Sequence, residues 1–489
     1  MMLSLLLTIP TLFLAPAALL LTSLPQSIAV TCPTLSDLEH DLGSTLSKGS
    51  SISASASDAP RWSLYGAPKP AFIVNVSAES DVVSTVRYCN KKNIIFLAQS
   101  QGNGWADTFR LGNCGLIINM AGLNKVAFNK YRTIASIGGG AQVKDMVLAA
   151  YNNGTRFSNP TCTCLGFLGA VLGGGISRSQ GLYGQGVDQV LSLNVVTASG
   201  DSLRVNRRSH RDLWYAMRGA APNFGIVTSA HVKAYPVPKD QNIAWEGAIT
   251  FADDKLEPLI KAIRDLDLRP EMEIDFLFAT SGPPLNTPAI TAIPFFLDNA
   301  SAARVAFASI FALGPLSDET KEVPYDHWGD FANSFCQKGM RKPAYGASLA
   351  RQGLDPATWR AVYEEFKTFV ARYPEAAGSS ILAEYYPVQK AVAIGDTTSS
   401  YPFRDVPIHV VTIPVYQNSS FDVTANAWGA RVRSLLRSTD GLDMNSTYIN
   451  FAHGDEPLNE IYGKDLPELQ KLKKRYDPQK KFNQWFPLA

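Results

Sequence analysis

The strongest chemical signal in the chain is a glycine-dense run at 160–186, PTCTCLGFLGAVLGGGISRSQGLYGQG. Between Thr161 and Gly186 it holds eight glycines, two cysteines and no acidic residue. Ordering glycine is entropically costly, so such density marks tight turns or a backbone that must come close to a ligand. Three more glycine turns accompany it: Ser100-Gln101-Gly102-Asn103-Gly104, Gly138-Gly139-Gly140, and Gly219 to Gly225. Backbone N–H groups gathered in such turns suit a pyrophosphate. A cofactor cradle and a buried packing segment both answer to this composition; the recurrence of the turns favours the cradle.

The turns match no common nucleotide motif. Gly173-Gly174-Gly175-Ile176-Ser177-Arg178 lacks the last glycine of the dinucleotide fingerprint, and no Gly-Lys pair precedes Ser or Thr as a P-loop requires. Gly175-Ile176-Ser177-Arg178-Ser179 misses the hydrolase nucleophile elbow at its final residue. Cys162-Thr163-Cys164 hints at a metal, but no histidine lies between His40 and His210 to complete a site, so no metal is expected.

At 489 residues, 46% hydrophobic and 18% charged, the chain is an ordinary globular sequence long enough for two or three domains. A formal charge of +2 carries no electrostatic footprint for nucleic acid. The first residues are almost wholly apolar and end in Ser27-Ile28-Ala29, which reads as a secretory signal over 1–29; a retained anchor is the alternative, since no Lys or Arg precedes the apolar run. Six cysteines and five Asn-x-Ser/Thr sequons, at Asn75, Asn153, Asn299, Asn418 and Asn445, agree with an oxidising, secreted setting and no lasting membrane association.

These turns need elements to hold them. Strands are predicted at 72–76, 94–98, 115–120, 124–128 and 133–137, with helices over 80–92 and 143–152. The run 187–205 reads as a strand pair, 212–217 as a short helix and 226–235 as a strand, closed by Pro236 and Pro238. Beyond about residue 240 glycine thins. Strands at 273–279, 292–297 and 408–416 and helices over 256–265, 356–373 and 423–437 suggest an antiparallel sheet with helices on one face. A last helix over 467–476 carries Leu469 and Leu472 inward and a mostly outward basic run, Lys471, Lys473, Lys474 and Arg475. The expected class is α+β, in segments 30–238, 239–445 and 446–489.

Taken together, the pieces resemble the berberine bridge enzyme group within the vanillyl-alcohol oxidase superfamily of FAD-linked oxidoreductases, with a PCMH-type FAD-binding domain. The resemblance rests on residues 168–175 with Gly181-Leu182-Tyr183-Gly184, on Arg218-Gly219 with Asn223 to Thr228, and on Tyr448-Ile449-Asn450-Phe451. It is nearest to secreted fungal members. It implies that 30–238 binds FAD, that 239–445 covers the substrate and that 446–489 returns to the FAD domain. Carried over residue by residue, Ser100, Gln101, Gly102, Asn103 and Gly104 would cradle the pyrophosphate and approach the flavin. Gly166, Gly169, Gly173, Gly174, Tyr183, Gly184, Gly225, Ile226, Val227 and Asn450 would line the cofactor. The resemblance also implies a Cys32–Cys89 disulfide.

One position departs from the pattern. Relatives with Ser-Gly-Gly-His-Gly in the second turn join that histidine to the flavin 8α-methyl; here Asn103 stands in its place, and an amide cannot form the bond. Some relatives add a cysteine link at flavin C6, a role Cys162 could fill; a disulfide or a buried thiol are its alternatives. Tyr448 matches the tyrosine that serves some members as base. A phenol of ordinary pKa near 10 needs a neighbour to lower it, and His453, Asp455 and Glu456 are close in sequence, though exposed loop charges are the blander reading. The implied function is oxidation of a small secondary metabolite by hydride transfer to flavin N5, with reoxidation by dioxygen. A non-redox cyclase on the same FAD scaffold and a degenerate binding protein are the alternatives.

Overall fold

The computed structural model describes residues 32–395 and 399–488. The segment read as a signal falls outside the described residues, apart from which no described helix is long and apolar enough to cross a membrane. Two small sheets hold the glycine turns. In the first, strands Phe72–Asn75, Leu116–Asn119 and Phe96–Gln99 run parallel, and Ser51–Ser53 adds an antiparallel edge. Helix Glu79–Lys92 makes the crossover; Asp81 accepts the Ala78 N–H at 2.8 Å at its start, and Asn93, left-handed at φ 53°, ends it. The second sheet is antiparallel, in the order Val126–Phe128, Ile134–Gly138, Ile226–Lys233, Val190–Val196, Ser202–Val205. The 187–205 strand pair begins later than its apolar run suggests, because Gly186–Gln189 forms a helical turn first.

The third sheet has nine strands. Its helices, Leu256–Asp265, Pro356–Arg372 and Asp422–Arg437, share one hydrophobic core with it. Pro356–Arg372 shows why: Asp355 caps it by accepting the Thr358 N–H, Pro356 opens it, and Trp359, Val362, Tyr363, Phe366, Phe369 and Val370 form its buried stripe. Strand alternation then sorts the sheet's two faces. On Ser380–Tyr385, which the sequence reading left unassigned, Ile381, Ala383 and Tyr385 join the helix-side core. Leu382 and Glu384 point the other way, to a cavity.

Residues after 447 pack with the glycine-turn region: Ile449, Ile461, Leu469, Leu472 and Phe486 share a core with Ile137, Leu193 and Ala230. Asn223 grips this tail, donating to Tyr462 Oη at 3.1 Å and to the Trp485 carbonyl at 3.2 Å. Lys473 departs from the outward basic face expected of its helix. It is 1% exposed, and its ammonium donates to Asp477 at 2.7 Å and to the Asn223 carbonyl at 2.8 Å.

The cysteine pairing differs from the implied one. Cys89 is a free thiol in the core beneath its helix, so no Cys32–Cys89 bridge forms. The helix turns that side chain inward against Val82 and Val86, where burial pushes the thiol up to about 12. Cys32 and Cys114 are both disulfide-bonded, and Cys164 is bonded to Cys336 with Cα atoms 5.7 Å apart.

Replacing Lys473 with Met strands the Asp477 carboxylate in the core. The expected loss is about 3–5 kcal/mol of stability, measured by urea unfolding followed at tryptophan. A loss under about 1 kcal/mol, the worth of an exposed pair, contradicts this account of how the tail is held.

Candidate active site

The strand Phe96–Gln99 delivers the 100–104 turn to the wall of a cavity of about 300 Å³. Side chains are excluded where the backbone must pass closely. A Cβ on Gly102, at φ +76°, would lie 2.5 Å from the Pro60 carbonyl, and one on Gly166 would lie 2.5 Å from Ser100 Oγ. Ser100, Gln101, Gly102, Asn103, Gly104, Cys162, Gly166, Gly169, Tyr448 and Asn450 all line this cavity. Ser100 Oγ and Asn103 Oδ1 are buried there without a hydrogen-bond partner, which marks them for a ligand.

The remaining expected residues lie behind the wall. Gly173 lets the tail come close, since an added Cβ would meet Asn450 Oδ1 at 2.7 Å; one on Gly174 would meet the Tyr401 ring at 2.7 Å and the Tyr448 ring at 3.1 Å. Tyr183 stacks on Tyr235 with centroids 3.7 Å apart. Gly184 accepts a hydrogen bond from Ser158 at 2.9 Å. A Cβ on Gly225 would come 2.4 Å from Val195, and Ile226 and Val227 are strand residues paired with Val196 and Val195.

Three N–H donors converge on the Tyr448 oxygen: Asn450 Nδ2 at 2.7 Å, Gly175 at 3.1 Å and Ile176 at 3.4 Å. A phenol has two lone pairs, so a third donor is used best by a phenolate. Burial nevertheless pushes the phenol up to about 12 against these bonds. The neighbours weighed from sequence do not act at its oxygen. His453 stacks on Tyr345 at 3.9 Å and is hydrogen-bonded to the Ala344 carbonyl at 3.1 Å. Asp455 and Glu456 pair with Arg433 at 2.6 and 3.0 Å, and Glu456 is buried rather than an exposed loop charge.

The acid that faces Tyr448 is Glu384, from the strand sequence reading missed. It lines the cavity, its charge acts on Tyr448, and its Oε2 is buried without a partner. Its register partner is Asp275, and Glu273 lies two residues along on the same face. Arg178 anchors this group, bonded to Glu246 and lying 3.4 Å from Glu273 and 3.6 Å from Asp275. Burial, then the Asp275 charge, holds Glu384 well above the usual carboxylate range; Glu246 is pushed up to about 7 by burial despite Arg178. Gly378 and Pro387 bracketing Ile381-Leu382-Ala383-Glu384-Tyr385 was the available signal for a strand with one acid on its non-core face. Cys162 is a free thiol, pushed up to about 12 by burial and by the charges of Glu384 and Asp275.

The glycine cradle and the unpartnered Ser100 and Asn103 oxygens fit a dinucleotide cofactor. Known proteins agree. The FAD binding domain family matches residues 70–206, and the berberine and berberine-like family matches residues 447–484. The chain is 34% identical over 429 residues to FAD-linked oxidoreductase OXR1 of Pyricularia oryzae, covering 86% of this chain and 84% of that one. It is 30% identical to FAD-linked oxidoreductase anuG of Penicillium roqueforti, covering 93% and 92%. Among solved structures, a carbohydrate oxidase from Microdochium nivale superposes with a TM-score of 0.78 at 20% identity, covering 92% of this chain and 99% of that one. An Acremonium strictum glucooligosaccharide oxidase superposes at 0.79 and 17% identity, covering 92% and 98%, so both neighbours carry the fold alone. The chain belongs to the berberine-bridge-enzyme-like FAD-linked oxidoreductases and is an FAD-dependent enzyme of the PCMH-type fold.

Proposed function

We propose that this enzyme oxidises a small, largely apolar secondary metabolite, and that dioxygen returns the reduced cofactor to its oxidised state. In this reading residues 30–238 and 446–489 form the cofactor unit, and 239–445 supplies the substrate face. FAD, when bound, accepts hydride from the substrate carbon. The observation that carries the reading is the Tyr448 oxygen under three N–H donors, in the cavity that Glu384 also lines and to which Trp62, Leu382, Val411 and Ile413 give apolar wall. Such walls favour an aromatic or aliphatic body over a charged one.

Tyr448 and Glu384 act as one titrating set. Tyr448 holds the substrate O–H or N–H, and the set takes the proton released as hydride departs. The N–H groups of Gly175, Ile176 and Asn450 steady negative charge on the phenol oxygen. Trp62 and Phe335 line the same cavity. Non-redox cyclisation is not favoured, since the relatives in hand are named oxidoreductases. Four oxidised cysteines support a secretory route.

FAD is expected here without a covalent bond. The Asn103 amide is not a nucleophile, and burial pushes the Cys162 thiol up, away from the thiolate that attack on the flavin needs. Acid precipitation of the purified protein is expected to release all of its flavin. Yellow colour retained in the pellet, with FAD on the Cys162 peptide by mass spectrometry, refutes an unreactive Cys162; FAD on the Asn103 peptide refutes an unreactive Asn103. Asn103→His is expected to gain an acid-stable link.

Tyr448→Phe is expected to lower the rate of anaerobic flavin bleaching by roughly 10²- to 10⁴-fold with flavin content unchanged. Residual activity above about a tenth of wild type excludes Tyr448 as a proton-handling residue. Because the pKa of both Tyr448 and Glu384 is raised, the proton-accepting form grows as pH rises, so wild-type bleaching is expected to accelerate from acid to alkaline pH. Glu384→Gln is expected to flatten that limb; an unchanged profile removes Glu384 from the set.

A further inference from the structure

Arg61 and Lys338 bond the 100–104 turn and Lys342 lies over Trp62, all three without a carboxylate. Arg61 lines the cavity and donates to Gln99 Oε1 at 2.9 Å and to the Gly104 carbonyl; its guanidinium lies 4.8 Å from the Phe109 centroid. Its Nε is buried and has no hydrogen-bond partner. Lys338 donates to the Gln101 carbonyl at 2.8 Å, within the turn itself, and to the Pro60 carbonyl at 3.4 Å. Lys342, 4% exposed, sits 4.2 Å over the Trp62 ring and donates to the Gln337 carbonyl. Among the described residues no acidic group acts on any of the three.

Two other buried arginines have carboxylate partners. Arg178 has Glu246, Glu273 and Asp275, and Arg404 has Asp188 at 2.8 Å. Burying a charge is costly unless a counter-charge accompanies it. Burial alone pulls Arg61 down to about 10 and Lys342 down to about 8, and Lys338 is lowered by burial and by Arg61. Arg61 lines the cavity and is therefore placed to meet an anion that enters it. In oxidised FAD the ring, ribityl chain and adenine are neutral, and the two phosphates carry all of the negative charge.

We propose that Arg61 is the direct counter-charge of the FAD diphosphate, with Lys338 strengthening the field through the 100–104 turn. This rests on the reading of that turn as the cofactor cradle. The turn contributes N–H groups and no charge of its own, since Ser100, Gln101, Gly102, Asn103 and Gly104 are all neutral. Arg61 enters from a separate segment, two residues after Ala59, and bonds both ends of the turn through Gln99 and Gly104. It thus shapes the cradle and supplies the charge that the cradle lacks.

The test compares FAD with riboflavin, which has the same ring and no phosphate. Flavin-free protein, prepared in a Cys162→Ser background so that no thioether can mask a loss, is titrated with each by fluorescence quenching. Arg61→Gln is expected to weaken FAD roughly 10- to 100-fold and to leave riboflavin unchanged; Arg61→Lys is expected to recover most of the FAD affinity. FAD affinity unaltered in Arg61→Gln overturns the proposal, as does an equal loss of both flavins, which would show that Arg61 only shapes the turn. Should Arg61→Gln not accumulate as folded protein, Lys338→Gln serves the same comparison. A selective loss of FAD supports the proposal, and unchanged FAD overturns it. A parent protein that binds neither flavin overturns the cradle reading itself, and the proposal with it.

Discussion

The active-site cavity depends on two missing side chains. At Gly173 the backbone passes so close beneath the returning tail that a Cβ would strike Asn450, and at Gly174 one would strike Tyr401 and press on Tyr448. That closeness is what lets the N–H groups of Gly175 and Ile176 reach the Tyr448 oxygen. It also lets Asn450 bond the Ala170 carbonyl at 2.9 Å while holding the phenol with the same amide. A larger residue at Gly173 would push Asn450 away from the turn and disturb the donor set, so chain entropy is traded for electrostatic geometry.

The nine-stranded sheet answers from the other side of the cavity. One of its faces is a conventional apolar core under three helices. The other carries a polar row in register: Ser348 opposite His409, His409 opposite Glu384, and Glu384 opposite Asp275. Burial keeps His409 neutral, pulling it down to about 3. The carboxylates are tolerated because Arg178 supplies charge and because burial favours their protonated forms. The result is a proton-holding surface, set by pleat alternation, that stands against the phenol.

Covalent and ionic ties hold these parts in place. The Cys164–Cys336 bond joins the glycine-rich segment to the middle of the chain across 172 residues of sequence, two residues from the free Cys162. Asn223 and Lys473 bind the tail to the 218–225 turn: the Asn223 amide donates to Tyr462 Oη and to the Trp485 carbonyl, and the Lys473 ammonium donates to the Asn223 carbonyl. Each tie connects segments distant in sequence, and the cavity lies where they meet.

Local order was legible in the sequence because it depends on neighbours along the chain. Helices over 143–152 and 256–265, the glycine turns and the basic terminal helix follow from periodicity and from glycine's backbone freedom, and the resemblance to the family rests on the residues of those turns. What the tertiary structure decided is which groups meet without being neighbours. Glu384 was invisible as Tyr448's companion because 64 residues of sequence separate them, and His453, Asp455 and Glu456, though adjacent, turn to Arg433 and Tyr345 instead. Cys89 looked available for a bridge until the helix aimed it into a core, and Lys473 looked exposed until Asp477 and Asn223 closed around it. Charge burial, ion pairing and disulfide choice are set by three-dimensional proximity and desolvation, and a linear pattern carries neither.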